Sequence, residues 1–217
     1  NLTGELKAFA EQFKYADVYG SLTPAKRASD AAQKQIEEYK EELLDVGTKT
    51  ILERMVETAK VLDNKYSVVV TNPPYMAPDL NPILNDFVGN NFPNSKTDLY
   101  AVFIEKCGLL SKIVFGMITM QGWMFLSSYS DLRSTLSDYT TINMVHLGKR
   151  AFDEIEGEVV QATSFVKCSH NILNYKGTYV RDVGPLGEEA KEKAFFDKKN
   201  YWYTNEERFR PIPGEPI

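Results

Sequence analysis

Apolar positions recur at helical spacing in the first third of the chain and then give way to short β-branched runs. Ala28, Ala32, Ile36, Tyr39 and Leu43 fall on one stripe, which is the pattern of a helix with a single buried face. Thr23-Pro24 predicts its start, a hydroxyl cap before proline in the first turn, and Gly47 predicts its end. Ile51, Leu52, Met55, Val56 and Ala59 predict a second helix. The Glu37-Glu38 and Glu41-Glu42 pairs read as a solvated face. At Tyr66 the period changes. Val68-Val69-Val70-Thr71 predicts a buried strand over 66–71, and 76–97, rich in proline, glycine and asparagine, predicts a long mobile loop. Leu99, Val102, Phe103 and Leu110 predict a helix that packs back on the sheet before a strand from Ile113 to Thr119. Such a connection is right-handed and parallel in nearly all proteins. A helix over about Ser127 to Ser137 precedes two strands, 141–147 and 159–168, with no helix between them. A further short strand is expected after Gly177.

Composition narrows the class without deciding the chemistry. With 217 residues, 43% hydrophobic and 25% charged, one α/β domain with an adequate core is expected. No apolar run approaches the ~20 residues that span a bilayer, and no signal peptide is visible, so a cytoplasmic protein is expected. Cys107 and Cys168 lie in apolar contexts that favour buried reduced thiols. His146 and His170 have no partners at ligand spacing, so no metal site is expected. A net charge of −5 argues against this chain gripping a polyanion by itself.

The most informative residues are Asn72-Pro73-Pro74-Tyr75, at the carboxyl end of the first predicted strand. Ligands bind at that edge in open α/β sheets. An exocyclic aromatic amine is a poor nucleophile because its lone pair is spread into the ring. Two oxygen acceptors at its hydrogens draw the nitrogen towards tetrahedral geometry. Asn72 offers a side-chain carbonyl and Pro73 a backbone carbonyl, and two prolines fix φ so that both are aimed in advance. Tyr75 adds a face on which a base can stack and a hydroxyl to anchor it. The plainer reading is that Pro-Pro merely ends the strand.

With its strand ahead and a matching order behind, this tetrapeptide resembles the signature of the S-adenosylmethionine-dependent amino-methyltransferases, specifically their adenine-N6 DNA branch. Asp98-Leu99-Tyr100 with Phe103-Ile104-Glu105, then Met117-Ile118-Thr119, Trp123, Leu132-Arg133, Gly148 through Phe152, and Val159-Val160-Gln161-Ala162-Thr163 follow in that branch's order. Val18-Tyr19-Gly20-Ser21-Leu22 and Ile212-Pro213-Gly214-Glu215-Pro216-Ile217 resemble the large phage-defence methyltransferases of the BREX (phage growth limitation) type, in which Glu215 is a departure. The resemblance implies an α/β fold, a partial Rossmann-like methyltransferase sheet, mixed but mostly parallel, closed by an antiparallel hairpin and preceded by helices. It implies catalytic roles for Asn72, Pro73, Pro74 and Tyr75, with Asn72 also facing the cofactor, S-adenosylmethionine. Phe152 would stack the flipped base against Tyr75, since N6 cannot be reached inside the duplex; alone, Phe152 reads as a core residue. The 76–97 loop would close over DNA or cofactor. Glu154, Glu156 and Glu158 form an acidic rim with no evident purpose beside DNA.

The family's glycine-rich cofactor loop does not occur between Asn1 and Tyr66, where Gly4, Gly20 and Gly47 are isolated. The chain is therefore expected to be a piece of a longer enzyme, inactive alone. Its expected parts are a helical segment 1–65, the motif-bearing half of the catalytic domain at 66–182, and a linker at 183–217 towards a target-recognition domain. Expected partners are double-stranded DNA and other defence-system proteins, and an exposed sheet edge allows self-association. Two alternatives use the same residues: methylation of a protein glutamine or an RNA amine, and a non-catalytic partner-binding module.

Overall fold

The computed structural model describes residues 4–38, 47–77, 81–152, 160–209, 211–213 and 216–217. The chain forms two compact units, Asn1–Lys65 and Tyr66–Ile217. The first is helical, with α1 (Gly4–Glu11), α2 (Ala16–Tyr19), α3 (Asp30–Glu37) and α4 (Thr48–Leu62). Leu6, Phe9, Ala25, Ala28, Ala32, Ile36, Leu52 and Ala59 form its core. The helix expected from Thr23 starts at Asp30, where the Ser29 hydroxyl accepts from the Ala32 N–H. Thr23 is no cap: its hydroxyl turns back to donate to the Gly20 carbonyl at 2.7 Å. Gly47 is the residue ahead of α4 rather than the end of the preceding helix. Tyr39 and Leu43 lie outside the described residues. Of the stripe expected on α4, Leu52 and Ala59 are buried, whereas Ile51 is exposed.

The second unit is built on a six-stranded sheet. In chain order its elements are β1 (Tyr66–Thr71), α5 (Pro82–Asn91), α6 (Leu99–Leu110), β2 (Ser111–Met120), α7 (Ser130–Leu136), β3 (Thr140–Lys149), β4 (Gln161–Cys168), β5 (Gly177–Arg181), α8 (Glu188–Phe196) and β6 (Tyr201–Thr204). The strand order is β1-β2-β4-β3-β5-β6. β1, β2, β3 and β5 run one way and β4 and β6 the other, so the sheet is mixed, with β4 folded back between β2 and β3 as the expected antiparallel hairpin.

Alternation along the strands decides which side is core. Phe115 and Met117 of β2, Phe165 of β4 and Met144 of β3 face one side, against Trp123, Leu132 and Leu136. Burying each such side chain contributes about 1.5–3 kcal/mol. Three successive valines cannot all point inward. Val69 packs on this core, while Val68 and Val70 are 59% and 75% exposed, so β1 is an outer strand rather than a buried one.

Two stretches expected to be irregular contain regular elements. Residues 76–97 are not one long loop, because they contain α5, capped by the Asn81 side chain, which accepts from the Ile83 and Leu84 N–H groups. Phe87 and Val88 anchor it. Residues 183–217 hold α8 and β6, and β6 pairs with β5. Cys107 and Cys168 are buried free thiols, and burial pushes the Cys107 thiol up to about 11.

Candidate active site

Asn72, Pro73, Pro74 and Tyr75 follow directly on β1, at the edge where the four like-directed strands end. Asn72 and Pro74 are exposed, Pro73 is buried and Tyr75 is half-buried. The buried proline anchors the corner while the amide stands in solvent. The Tyr75 hydroxyl lies 3.2 Å from Asn72 Oδ1 and 3.3 Å from the Ile118 carbonyl on β2. In this structure the hydroxyl orients Asn72 and ties the corner to the neighbouring strand, a role the residue types alone did not disclose.

The ring of Tyr75 meets Tyr100 of α6 edge-on, centroids 6.1 Å apart, and Tyr100 in turn packs on Tyr129 at 5.9 Å. Burial holds the Tyr75 phenol above its ordinary pKa, and the Tyr100 phenol much further above. Both remain protonated donors at neutral pH. The corner's exit is fixed by α6. Leu99 N–H donates to the Met76 carbonyl at 3.0 Å, and the Asp98 side chain caps the helix at Tyr100 N. Burial raises the Asp98 carboxyl, partly opposed by the backbone N–H groups of Tyr100, Met76 and Leu99.

Phe152 is half-buried beyond β3. The chain leaves β3 through Gly148, at φ +67, where a Cβ would stand 3.0 Å from the Val183 side chain. Only glycine meets both conditions. The structure brings Asn72 and Tyr75 into contact, and describes no contact between Tyr75 and Phe152. Glu154, Glu156 and Glu158 lie outside the described residues.

Three polar residues on the same edge are joined in a way that their spacing in the sequence does not disclose. Gln121 Nε2 donates to Gln161 Oε1 at 2.7 Å, and Gln121 Oε1 faces His146 Nε2 at 2.5 Å. The chain of bonds links the end of β2 to the start of β4 and to β3, at the base of the segment that carries Phe152. Burial, reinforced by the positive charges of Arg181 and Lys191, lowers the His146 pKa. The ring is held neutral at pH 7. Gln161 stood in the motif order, but nothing in the spacing paired it with Gln121.

Among the described residues no group of His, Cys, Asp and Glu could hold a metal ion, and no helix is long and apolar enough to cross a membrane. Ahead of β1 none of the described glycines follows a strand: Gly4 opens α1, Gly20 closes α2 and Gly47 precedes α4. The described residues thus offer one wall of a site.

Comparison with known proteins bears on family and fold. The chain is 44% identical over 175 residues to the adenine-specific methyltransferase PglX of Lacticaseibacillus casei (strain Zhang), covering 76% of this chain and 15% of that protein. It is 38% identical over 216 residues to the adenine-specific methyltransferase BrxX of Escherichia coli O9:H4 (strain HS), covering 94% and 18%. The chain thus spans less than a fifth of either relative. Its fold matches a type I restriction-modification methyltransferase subunit from Streptococcus thermophilus with a TM-score of 0.51 at 13% identity, over 77% of this chain and 45% of that one. The model of the Eco57I restriction-modification methylase family matches residues 5–152, and the chain belongs to that family.

Proposed function

We propose that this chain is part of an enzyme that transfers a methyl group from S-adenosylmethionine to N6 of a flipped-out adenine in DNA, in restriction-modification or phage defence. The observation that carries this reading is the exposed Asn72 amide, held by Tyr75 at the carboxyl end of β1 in a chain of this family. The relatives named as adenine-specific methyltransferases support the choice of base over the glutamine and RNA alternatives. DNA and other defence proteins would be its partners, in the cytoplasm where the host's DNA lies.

Asn72 Oδ1 has two lone pairs, so it can keep the Tyr75 hydroxyl and still accept an amine hydrogen. The Pro73 carbonyl takes the other. With both hydrogens held, the nitrogen lone pair is withdrawn from the ring and free to attack. Tyr75 and Phe152 stack the base, offsetting part of the few kcal/mol that flipping costs. The product amine sheds its surplus proton to solvent through the open corner. S-adenosylmethionine would supply the methyl group, with Asn72 facing it across the corner.

Asn72→Ala in the full-length protein should lower methylation about 10²–10³-fold, as loss of one charge-stabilising contact does elsewhere. Its melting temperature should not move, since Asn72 is exposed. Methylation at the wild-type rate in a folded Asn72→Ala protein would sink the assignment.

A further inference from the structure

On the core side of the sheet, the covering layer stops short of β5 and β6 and leaves a groove of about 500 Å³. Strand alternation places Met144 and His146 of β3, Tyr179 and Arg181 of β5, and Trp202 of β6 along its floor, with Tyr179 paired to Trp202 across the ladder. Arg208 and Phe209 form one wall.

Two features separate it from an ordinary surface hollow. The first is charge. In a chain of net −5, two arginine side chains line the groove, and no Asp or Glu side chain lines it among the described residues. The second is exposed aromatic surface: Trp202, the β6 ring that alternation turns to the groove, is 51% exposed on the strand that ends the sheet. A large aromatic left in water beside guanidinium groups is what a groove for an unpaired nucleic-acid strand requires, phosphates meeting the cations and a base stacking on the ring. A groove of this volume admits one or two nucleotides, and a duplex is too wide to enter.

Its position gives the feature a use. His146 and Arg181 stand at the carboxyl ends of β3 and β5, on the same edge as Asn72, and His146 is bonded to Gln121 at 2.5 Å. Taking as given that the enzyme flips a base out of DNA at Asn72, the duplex is locally opened at this edge. We infer that the groove between β3, β5 and β6 binds a short unpaired stretch of that DNA, stacking a base on Trp202 with its phosphates at Arg181 and Arg208.

The test is built into the chain, because of its two tryptophans Trp123 is fully buried and Trp202 half exposed. Titration with an oligo-dT of about eight nucleotides, without S-adenosylmethionine, should quench tryptophan fluorescence saturably, and affinity should fall as salt rises. By polarisation of a labelled oligonucleotide, Arg181→Ala, Arg208→Ala and Trp202→Ala should each weaken binding about tenfold. Arg208→Ala alters an exposed turn and guards against mistaking misfolding for lost binding. Equal binding by all three variants, or competition by free dTMP or an acidic peptide as effective as the strand, would overturn the inference. Asn72→Ala should bind the oligonucleotide normally. Wild-type methylation by Asn72→Ala in the full-length protein would sink the methyltransferase reading and leave strand binding standing, whereas unchanged oligonucleotide binding by the groove variants would sink this inference and leave the methyltransferase reading standing.

Discussion

The Tyr75 hydroxyl carries one proton and has two acceptors in reach, Asn72 Oδ1 and the Ile118 carbonyl. The hydroxyl can therefore stay on Asn72 Oδ1 beside an incoming amine hydrogen or shift towards Ile118 without being left unpaired, and the corner adjusts at little cost. His146 is the residue whose protonation is most open to measurement. Burial first, then Arg181 and Lys191, hold its folded pKa below the ordinary 6.5. The unfolded chain then takes up a proton before the folded one does. This contribution to stability is complete above about pH 6.5 and is lost as pH falls towards the folded pKa. Thermal denaturation between about pH 7.5 and 5 should show a shallower acid-side loss in His146→Gln, which keeps a partner for Gln121. Identical slopes in the two proteins would show that the imidazole is not held neutral by its surroundings.

At the scale of elements, the short turn Glu206–Arg208 is fastened to the sheet by one buried ion pair. Lys167 of β4 is almost fully buried, and its Nζ donates to Glu206 Oε1 at 2.8 Å. Glu206 also accepts from the backbone N–H of Thr141 at 3.0 Å and from its hydroxyl. Burial lowers the Lys167 pKa and Glu206 opposes that shift. Removing one partner strands the other's charge, so Glu206→Ala should cost about 3–5 kcal/mol in urea unfolding. Adding Lys167→Met should restore most of it, because the orphaned ammonium is gone. A double variant as unstable as the single would place the loss in the turn's packing instead. This pair also marks where sequence reading ends. β2, the β3–β4 hairpin and the Asn72 corner were legible, because apolar period and proline are local signals. Phe165-Val166-Lys167-Cys168 shows a lysine where alternation points inward, and only its partner 39 residues on explains it. The same holds for Gln121 and His146, 25 residues apart. β6, Tyr201–Thr204, was hidden because a four-residue aromatic strand flanked by charge reads like a tail.

The whole sheet has two unlike edges. β6 ends one side with exposed aromatics, and β1 ends the other, with Val68 and Val70 largely exposed and, among the described residues, no strand beyond it. The outer edge of Val68–Val70 presents backbone N–H and C=O groups beside apolar surface, and the lysine and prolines that could blunt it, Lys65 and Pro73-Pro74, stand only at the strand's ends. The 217-residue chain should therefore self-associate as its concentration rises, through β1 pairing with a second β1. Val70→Lys tests this cleanly. The position is 75% exposed, so the substitution should change stability by no more than about 0.5 kcal/mol while placing like charges opposite one another in the paired edges. Sedimentation velocity should show concentration-dependent association in the parent chain and a monomer in the variant. A parent chain that stays monomeric at every concentration would mean that the edge is covered in solution. Association that persists in Val70→Lys would move the contact away from β1, with the open aromatic edge at β6 the next surface to test by Trp202→Lys.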